Sequence, residues 1–259
     1  MPSFVHLSDI HFGPRHHAHL ADVILSEIDQ LDPDVVVLSG DFTLRGRVRE
    51  YEAAREFLSR IQKPKLMIPG NHDQPLYEPL ERLTRPFARY RKYVCPSTET
   101  TLASAGLFFF GLNDNRPLLP GGFWSGKQRA WLAAELSKAP RGVIRIVVSH
   151  HHFLWGGKWR PAGFWYPNRA FEWLARNQVQ LLLNGHTHVP VAEQTPQGLV
   201  VAGAGTAAST RIRHGWGNSY NVVRIDKERI SISIRQYEQH SDAFIQAKFF
   251  EFPRRVGGN

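Results

Sequence analysis

Five apolar runs in this chain break off at an aspartate, an asparagine or a histidine, and that repeated ending constrains the fold more than any other feature. "SFVHLSD" (Ser3–Asp9) leads to Asp9-x-His11, and "DVVVLSGD" (Asp34–Asp41) ends at Asp41. "KLMIPGNHD" (Lys65–Asp73) ends at Asn71-His72-Asp73, and "VIRIVVSHHH" (Val143–His152) ends at three histidines. The run at Gln180–Leu183 passes into "NGHTHVP", which carries His186 and His188. Short apolar runs closed by turn residues read as buried strands. In open α/β sheets, ligands bind outside the carboxyl ends of the strands. One His-x-His pair alone would read as two turn histidines in water. Five strand ends that all deliver Asp, Asn or His point to a built site.

The stretches between these runs carry helical spacing. "HLADVILSEIDQL" (His19–Leu31) places Leu20, Val23, Ile24, Ile28 and Leu31 on one face, and "VREYEAAREFLSRI" (Val48–Ile61) is amphipathic. "SGKQRAWLAAELSKA" (Ser125–Ala139) begins with Ser125 as a candidate N-cap, and Asn168–Gln178 forms a further helix. "GLFFFGLND" (Gly106–Asp114) reads as another strand. Past Val189 the pattern turns β-rich, with strands expected at Gly198–Thr206, Ser219–Asp226 and Arg229–Tyr237. Alternating strands and helices followed by hairpins predict a layered α/β domain with mixed sheets. A single domain is expected over residues 1–250, with residues 251–259 as a flexible tail.

The donor set at the strand ends is carboxylate, amide oxygen and imidazole, without thiolate. It suits borderline divalent metals. Seven such residues, Asp9, His11, Asp41, Asn71, His150, His186 and His188, are too many for one ion but fit two that share a carboxylate. Two ions roughly 3.5–4 Å apart form a clamp for in-line displacement at phosphorus.

Together the motifs Asp9-x-His11, Gly40-Asp41, Gly70-Asn71-His72-Asp73, the His150 cluster and Gly185-His186-Thr187-His188 resemble those of the calcineurin-like metallophosphoesterases, in order and in spacing. "GKQRAWLAAEL" (Gly126–Leu136) and "AGAGTAASTRIRHGWGNSYNVVRI" (Ala202–Ile225) are similar to the small bacterial members of the class III cyclic-nucleotide phosphodiesterase type. The resemblance implies a four-layer αββα sandwich with two mixed β-sheets. It also implies a phosphodiesterase that attacks a small phosphodiester, such as a cyclic nucleotide, with a hydroxide bridging two ions of manganese, iron or zinc. By position, Asp9, His11, Asp41 and His188 would hold one ion, and Asp41, Asn71, His150 and His186 the other. His72 would donate to a phosphoryl oxygen or protonate the leaving alkoxide, and Asp73 would orient the turn.

Some assignments stay open at this level. His150 or His151 supplies the ligand from the histidine triplet. His150 is preferred as the residue nearest the strand end, which leaves His151 for substrate. Phe153 and Leu154 stand where many relatives carry proline. His16, His17 and His19 could line the pocket mouth, but a solvated helix start is the favoured reading. Arg211 or Arg213 could clamp a phosphate, or their turn could be structural. "FLWGGKWRPAGFWYPNR" (Phe153–Arg169) is dense in aromatic and basic residues. It reads either as a cap, with Trp155, Trp159, Phe164, Trp165 or Tyr166 on substrate and Lys158 or Arg160 on phosphate, or as a packed loop or dimer contact.

Composition narrows the class further. A single cysteine, Cys95, excludes an intrachain disulfide framework. The N-terminal MPSFVHLSDIHFG lacks the features of a secretion signal, and no run nears the ~18–20 apolar residues of a membrane helix. A soluble cytoplasmic protein is therefore expected. A net charge of +9 over 259 residues favours anionic partners. The favoured partner is a small phosphorylated substrate. The alternatives are a lipid-linked pyrophosphate or phospholipid diesterase in peripheral contact with a membrane and, less favoured, a nuclease acting on nucleic acid.

Overall fold

The computed structural model describes residues 1–154 and 163–254. The elements run β1 (Ser3–Leu7), α1 (Ala18–Leu31), β2 (Val35–Leu38), α2 (Val48–Arg60), β3 (Lys65–Met67), α3 (Pro79–Thr84), α4 (Ala88–Tyr93), β4 (Thr100–Ser104), β5 (Leu107–Gly111), α5 (Gly126–Lys138), β6 (Ile144–Val148), α6 (Pro167–Arg176), β7 (Val179–Asn184), β8 (Val191–Gln194), β9 (Val200–Gly203), β10 (Ser219–Ile225), β11 (Arg229–Glu238) and β12 (Ala243–Pro253). They build two six-stranded sheets, ordered β12-β11-β10-β1-β2-β3 and β4-β5-β6-β7-β9-β8. β1, β2 and β3 are parallel, as are β5, β6, β7 and β9, and the hairpin strands add antiparallel pairs. Both sheets are mixed.

Strand alternation sorts the core into three layers. Val5, Leu7, Val36 and Leu38 point outward from the first sheet onto Leu20, Ile24 and Ile28 of α1 and Phe57 of α2. Phe4, Val35 and Val37 point the other way and meet Phe109, Ile146, Val148, Leu181 and Leu183 of the second sheet. Phe110, Val147 and Leu182 face outward again, against Leu132 and Leu136 of α5 and Phe171 and Leu174 of α6. The architecture is the expected helix–sheet–sheet–helix sandwich. His6 shares the inner face with Phe4. It is buried there with Nε2 2.9 Å from Ser39 Oγ, and Asn221 Nδ2 lies 3.5 Å from Nδ1.

The N-cap expected at Ser125 forms as a reciprocal box. Ser125 Oγ accepts from Gln128 N (3.3 Å), and Gln128 Oε1 accepts from Ser125 N (3.0 Å). The tail expectation needs correction. β12 continues to Pro253, with Ile230 opposite Phe252 and Arg229 opposite Pro253, so residues 251–253 belong to the sheet. Phe250 and Phe252 pack on the core between the sheets and hold this edge in register. Residues 255–259 lie outside the described residues. Among the described residues no helix is long and apolar enough to cross a membrane.

Candidate metal centre

The parallel strands of both sheets release their carboxyl ends toward one place. The turns there are strained: Asp9 (φ 55°), His11 (52°), Asp41 (56°), His186 (73°) and His188 (60°) all take the left-handed conformation, which costs a residue with a Cβ. Backbone bonds hold the first two turns together, from Asp9 N to Gly40 O (3.1 Å) and from His11 N to Asp41 O (3.0 Å). Glycine permits the close approach. A Cβ on Gly185 would stand 1.9 Å from Ser8 Oγ, and one on Gly70 would stand 2.1 Å from Asp41 Oδ1.

Three histidines are oriented by the main chain. His11 Nδ1 donates to Thr43 O (3.2 Å), His150 Nδ1 to Ser39 O (2.8 Å) and His188 Nδ1 to Arg211 O (2.5 Å). Each bond turns Nε2 inward, the arrangement that fixes the tautomer of metal-binding histidines. One cluster then forms. His188 Nε2 lies 3.1 Å from Asp9 Oδ1 and 3.1 Å from His11 Nε2, and His11 Nε2 lies 3.7 Å from Asp41 Oδ2. Ligand atoms of Asp9, His11, Asp41 and His188 all fall within 4.8 Å of one another. Beside it, Asn71 Oδ1 lies 3.1 Å from His150 Nε2 and 3.0 Å from His186 Nδ1, and His150 Nε2 lies 3.5 Å from Asp41 Oδ1. Asp41 therefore faces one set with each oxygen.

This arrangement suits cations. Asp9 Oδ2 accepts from Ser8 Oγ (2.6 Å) and His186 N (2.9 Å), whereas Oδ1 is buried with no hydrogen-bond donor. An orphaned buried carboxylate oxygen is costly unless a cation meets it. Burial works to raise the pKa values of Asp9 and Asp41, but the surrounding histidines outweigh it and hold both carboxylates ionised. Burial works to lower that of His150, but Asp41, Asp9 and Asp114 outweigh it and push it up to about 9. The field at the centre is negative and favours positive charge. Nitrogen and oxygen donors without sulfur fit the borderline divalent metals.

His72 stands at the margin of the cluster. Its Nδ1 donates to Leu44 O (2.8 Å), and Nε2 lies 3.0 Å from Arg211 Nη1. Burial lowers its pKa to about 4. Arg211 Nη1 also lies 3.4 Å from His11 Nε2, whereas Arg213 is exposed, so Arg211 is the arginine that reaches the centre. Asp73 turns away. It accepts from Gly70 N (2.8 Å), Thr43 N (2.9 Å) and Thr43 Oγ1 (3.0 Å), and so staples the β3 turn to the β2 turn.

Of the histidine triplet, His150 faces Asp41 and Asn71. His151 is turned onto Asp114, with Nδ1 3.1 Å from Oδ1 and its backbone N donating to Oδ2 (2.9 Å). His151 Nε2 is buried without a hydrogen-bond partner, and its ring lies 4.6 Å from that of His186. Asp114 is the residue that sequence reasoning passed over. It sits just past β5 in "GLND", another carboxylate beyond a strand end. Burial works to raise its pKa, but His151 outweighs it, for a net value of about 2. His19 is exposed and pairs with Asp242 (2.6 Å), whereas His16 is half-buried, with its ring 4.2 Å from that of Phe12 and Nδ1 donating to Ile10 O (3.4 Å).

Within the expected cap, Trp155, Lys158, Trp159 and Arg160 lie outside the described residues. Phe164 is buried against Phe153 (4.1 Å) and Trp124 (4.9 Å). Trp165 stacks on Phe123 (5.6 Å), and both line a cavity of about 500 Å³ together with Arg129 and Arg169.

Residues 2–190 match the family model described as calcineurin-like phosphoesterase. The chain is 37% identical over 168 residues to a glycerophosphodiester phosphodiesterase of Enterobacter lignolyticus, covering 57% of this chain and 55% of that protein. It is 28% identical over 174 residues to a probable cyclic nucleotide phosphodiesterase of Synechococcus sp., covering 65% of this chain and 63% of that protein. The matches thus span less than two thirds of either relative's length. A dimetal phosphatase from Danio rerio superposes with a TM-score of 0.67 over 97% of this chain and 98% of its own, at 12% identity, a likeness of fold alone.

Proposed function

The chain belongs to the calcineurin-like phosphoesterase family, and from that premise we propose that it is a two-metal phosphodiesterase acting on a small phosphodiester. The observation that carries this reading is the placement of Asp41, whose two oxygens face His11 and His150 and so join two donor sets. Asp9, His11, Asp41 and His188 would hold one divalent ion, and Asp41, Asn71, His150 and His186 a second. Manganese, iron or zinc suits these donors. When bound, the pair would supply Lewis-acid activation of water and offset charge on the phosphoryl oxygens.

The remaining residues bind and orient the ester. Arg211 brings a guanidinium to the edge of the cluster, where a phosphoryl oxygen would lie. His72 accepts from Arg211 through Nε2 and so aims it. His72 delivers a proton to the leaving oxygen only as imidazolium, because Nδ1–H is committed to Leu44 O. The bare Nε2 of His151 is assigned to the substrate. The named activities of both relatives are diester cleavage, which supports a diester over a monoester and places cyclic nucleotides and glycerophosphodiesters first in a substrate panel.

The test is hydrolysis of bis-p-nitrophenyl phosphate beside p-nitrophenyl phosphate. Metal-stripped protein is reloaded singly with manganese, iron, cobalt, nickel, zinc or magnesium. Diester cleavage should return with metal and fall by at least about a thousandfold in Asp41→Ala. Turnover of neither ester with any metal would overturn the reading.

A further inference from the structure

Six of the exposed large apolar residues gather at one place. Leu76, Tyr77, Leu80 and Leu83 follow β3, and Leu118 and Leu119 follow β5, with exposures from 40% to 74%. Both stretches leave the carboxyl ends of parallel strands, the end of the molecule that carries the metal centre. They form one patch, because Arg82 Nε donates to Pro117 O (2.7 Å) and Arg82 Nη1 to Pro75 O (3.4 Å). α3, which presents Leu80 and Leu83, has no buried residue. A helix of six residues is unstable by itself, and this one leaves Leu80 74% and Leu83 52% exposed. Clustered exposed leucines of this kind mark a contact surface.

The charge around the patch is net positive. Glu78 and Glu81 are both taken up by Arg89, at 3.3 and 2.5 Å. Arg45 and Arg47 lie over the Tyr77 ring, 5.9 and 4.9 Å from its centroid. Among the described residues, no carboxylate forms an ion pair with the guanidinium of Arg45, Arg47, Arg82 or Arg85. Leucines and a tyrosine ringed by such arginines match an anionic amphiphilic surface. The apolar side chains would enter the acyl boundary while the guanidinium groups meet lipid phosphates. A second copy of this chain fits less well, since a two-fold contact would set these arginines against their own copies.

We propose that α3, with Leu76–Tyr77 and Leu118–Leu119, docks this protein on an anionic lipid bilayer, with the metal-centre end turned toward the surface. The docking is independent of the chemistry at the centre, so metal-stripped protein should bind equally well.

The test sediments the full chain with phosphatidylcholine vesicles and with vesicles that also contain phosphatidylglycerol, at low and high salt. Light scattering reports the oligomeric state. The protein should pellet with the phosphatidylglycerol vesicles, and binding should fade as salt rises. The double variant Leu80→Asp, Leu83→Asp should bind at least about tenfold more weakly while cleaving a soluble diester at the wild-type rate. Arg85→Glu, which alters charge alone, should weaken binding by about severalfold. No binding at low salt, equal binding to both vesicle types, or wild-type binding by the leucine variant would each overturn the proposal. So would a wild-type dimer that the leucine variant converts to monomer, which would assign the patch to a second copy.

Discussion

Oδ1 of Asp9 lies 3.1 Å from Nε2 of His188, and the proton that His188 carries on Nδ1 is already given to Arg211 O. With both rings neutral, as metal ligation requires, Asp9 Oδ1, His188 Nε2 and His11 Nε2 are three buried lone-pair atoms that face one another. A divalent cation relieves this repulsion, so metal binding should be a large part of stability. At an ion concentration about a thousand times the dissociation constant, a ligand that binds only the folded state adds roughly 4 kcal/mol. Chelation should therefore lower the thermal midpoint by several degrees or more, and one equivalent set of ions should restore it. His188→Ala should lose most of that metal-dependent gain. A midpoint that ignores both chelator and metal would remove the reason for calling the cluster a metal centre.

The glycines of the centre give a second prediction. A Cβ at Gly185 would overlap Ser8 Oγ and stand 2.6 Å from Asp9 Oδ2, the oxygen already anchored by the His186 backbone. Gly185→Ala must push these turns apart. The stability cost of such overpacking is about 1–3 kcal/mol. The larger effect should be on function, because a displacement near 1 Å at a catalytic centre costs about a hundredfold. Diesterase activity should drop by that order while the circular dichroism spectrum stays native. Full activity in Gly185→Ala would show that the turn tolerates a separation the structure does not.

His6 sets a pH dependence away from the centre. It is buried between the sheets on Ser39 and Asn221, and burial lowers its pKa to about 3 despite the opposing pull of Asp9. The unfolded chain protonates this residue near pH 6.5, whereas the folded one stays neutral. Protonation therefore favours unfolding. The stability His6 contributes is complete above pH 6.5 and is lost as pH falls from 6.5 toward 3, by up to about 1.4 kcal/mol per pH unit. His6→Gln should be less stable at pH 8 and show a flatter decline over that window in urea titrations. Parallel declines in the two proteins would mean that other groups carry the acid sensitivity.

The donor set was legible because four of the five strands that carry it, β1, β2, β6 and β7, are buried on both faces, and the fifth, β3, ends in the unmistakable Asn71-His72-Asp73. Such strands read as unbroken apolar runs, and a polar residue at the end of each stands out. Three of the four edge strands lack that contrast. β4, β8 and β12 each pair on one side only, and β12 carries Gln246, Lys248 and Glu251 on exposed positions, so none of the three was expected. The choice between His150 and His151 could not be read from adjacent letters. It depends on Gly122, where a Cβ would stand 2.6 Å from His151 Nδ1, and on Asp114, which draws that ring aside. Asp114 was itself visible at a strand end but bears no metal-motif spacing, and only the fold shows its partner.

The pairing of His72 with Arg211 separates two roles for the histidine. If His72 protonates the leaving group, His72→Ala should hurt an alkyl diester, whose alkoxide needs a proton, far more than a p-nitrophenyl diester, whose phenolate does not. If it mainly aims Arg211 through the 3.0 Å contact, the loss should be similar for both esters, and His72→Ala should add little to Arg211→Ala. The geometry favours the second pattern, because Nδ1–H is held by Leu44 O and burial keeps the ring neutral down to about pH 4. We therefore expect each single variant to lose about 10- to 100-fold in kcat/KM on both esters, and the double variant to lose little more than the worse single. Losses that multiply in the double variant, together with a deficit confined to alkyl esters, would return His72 to the role of acid.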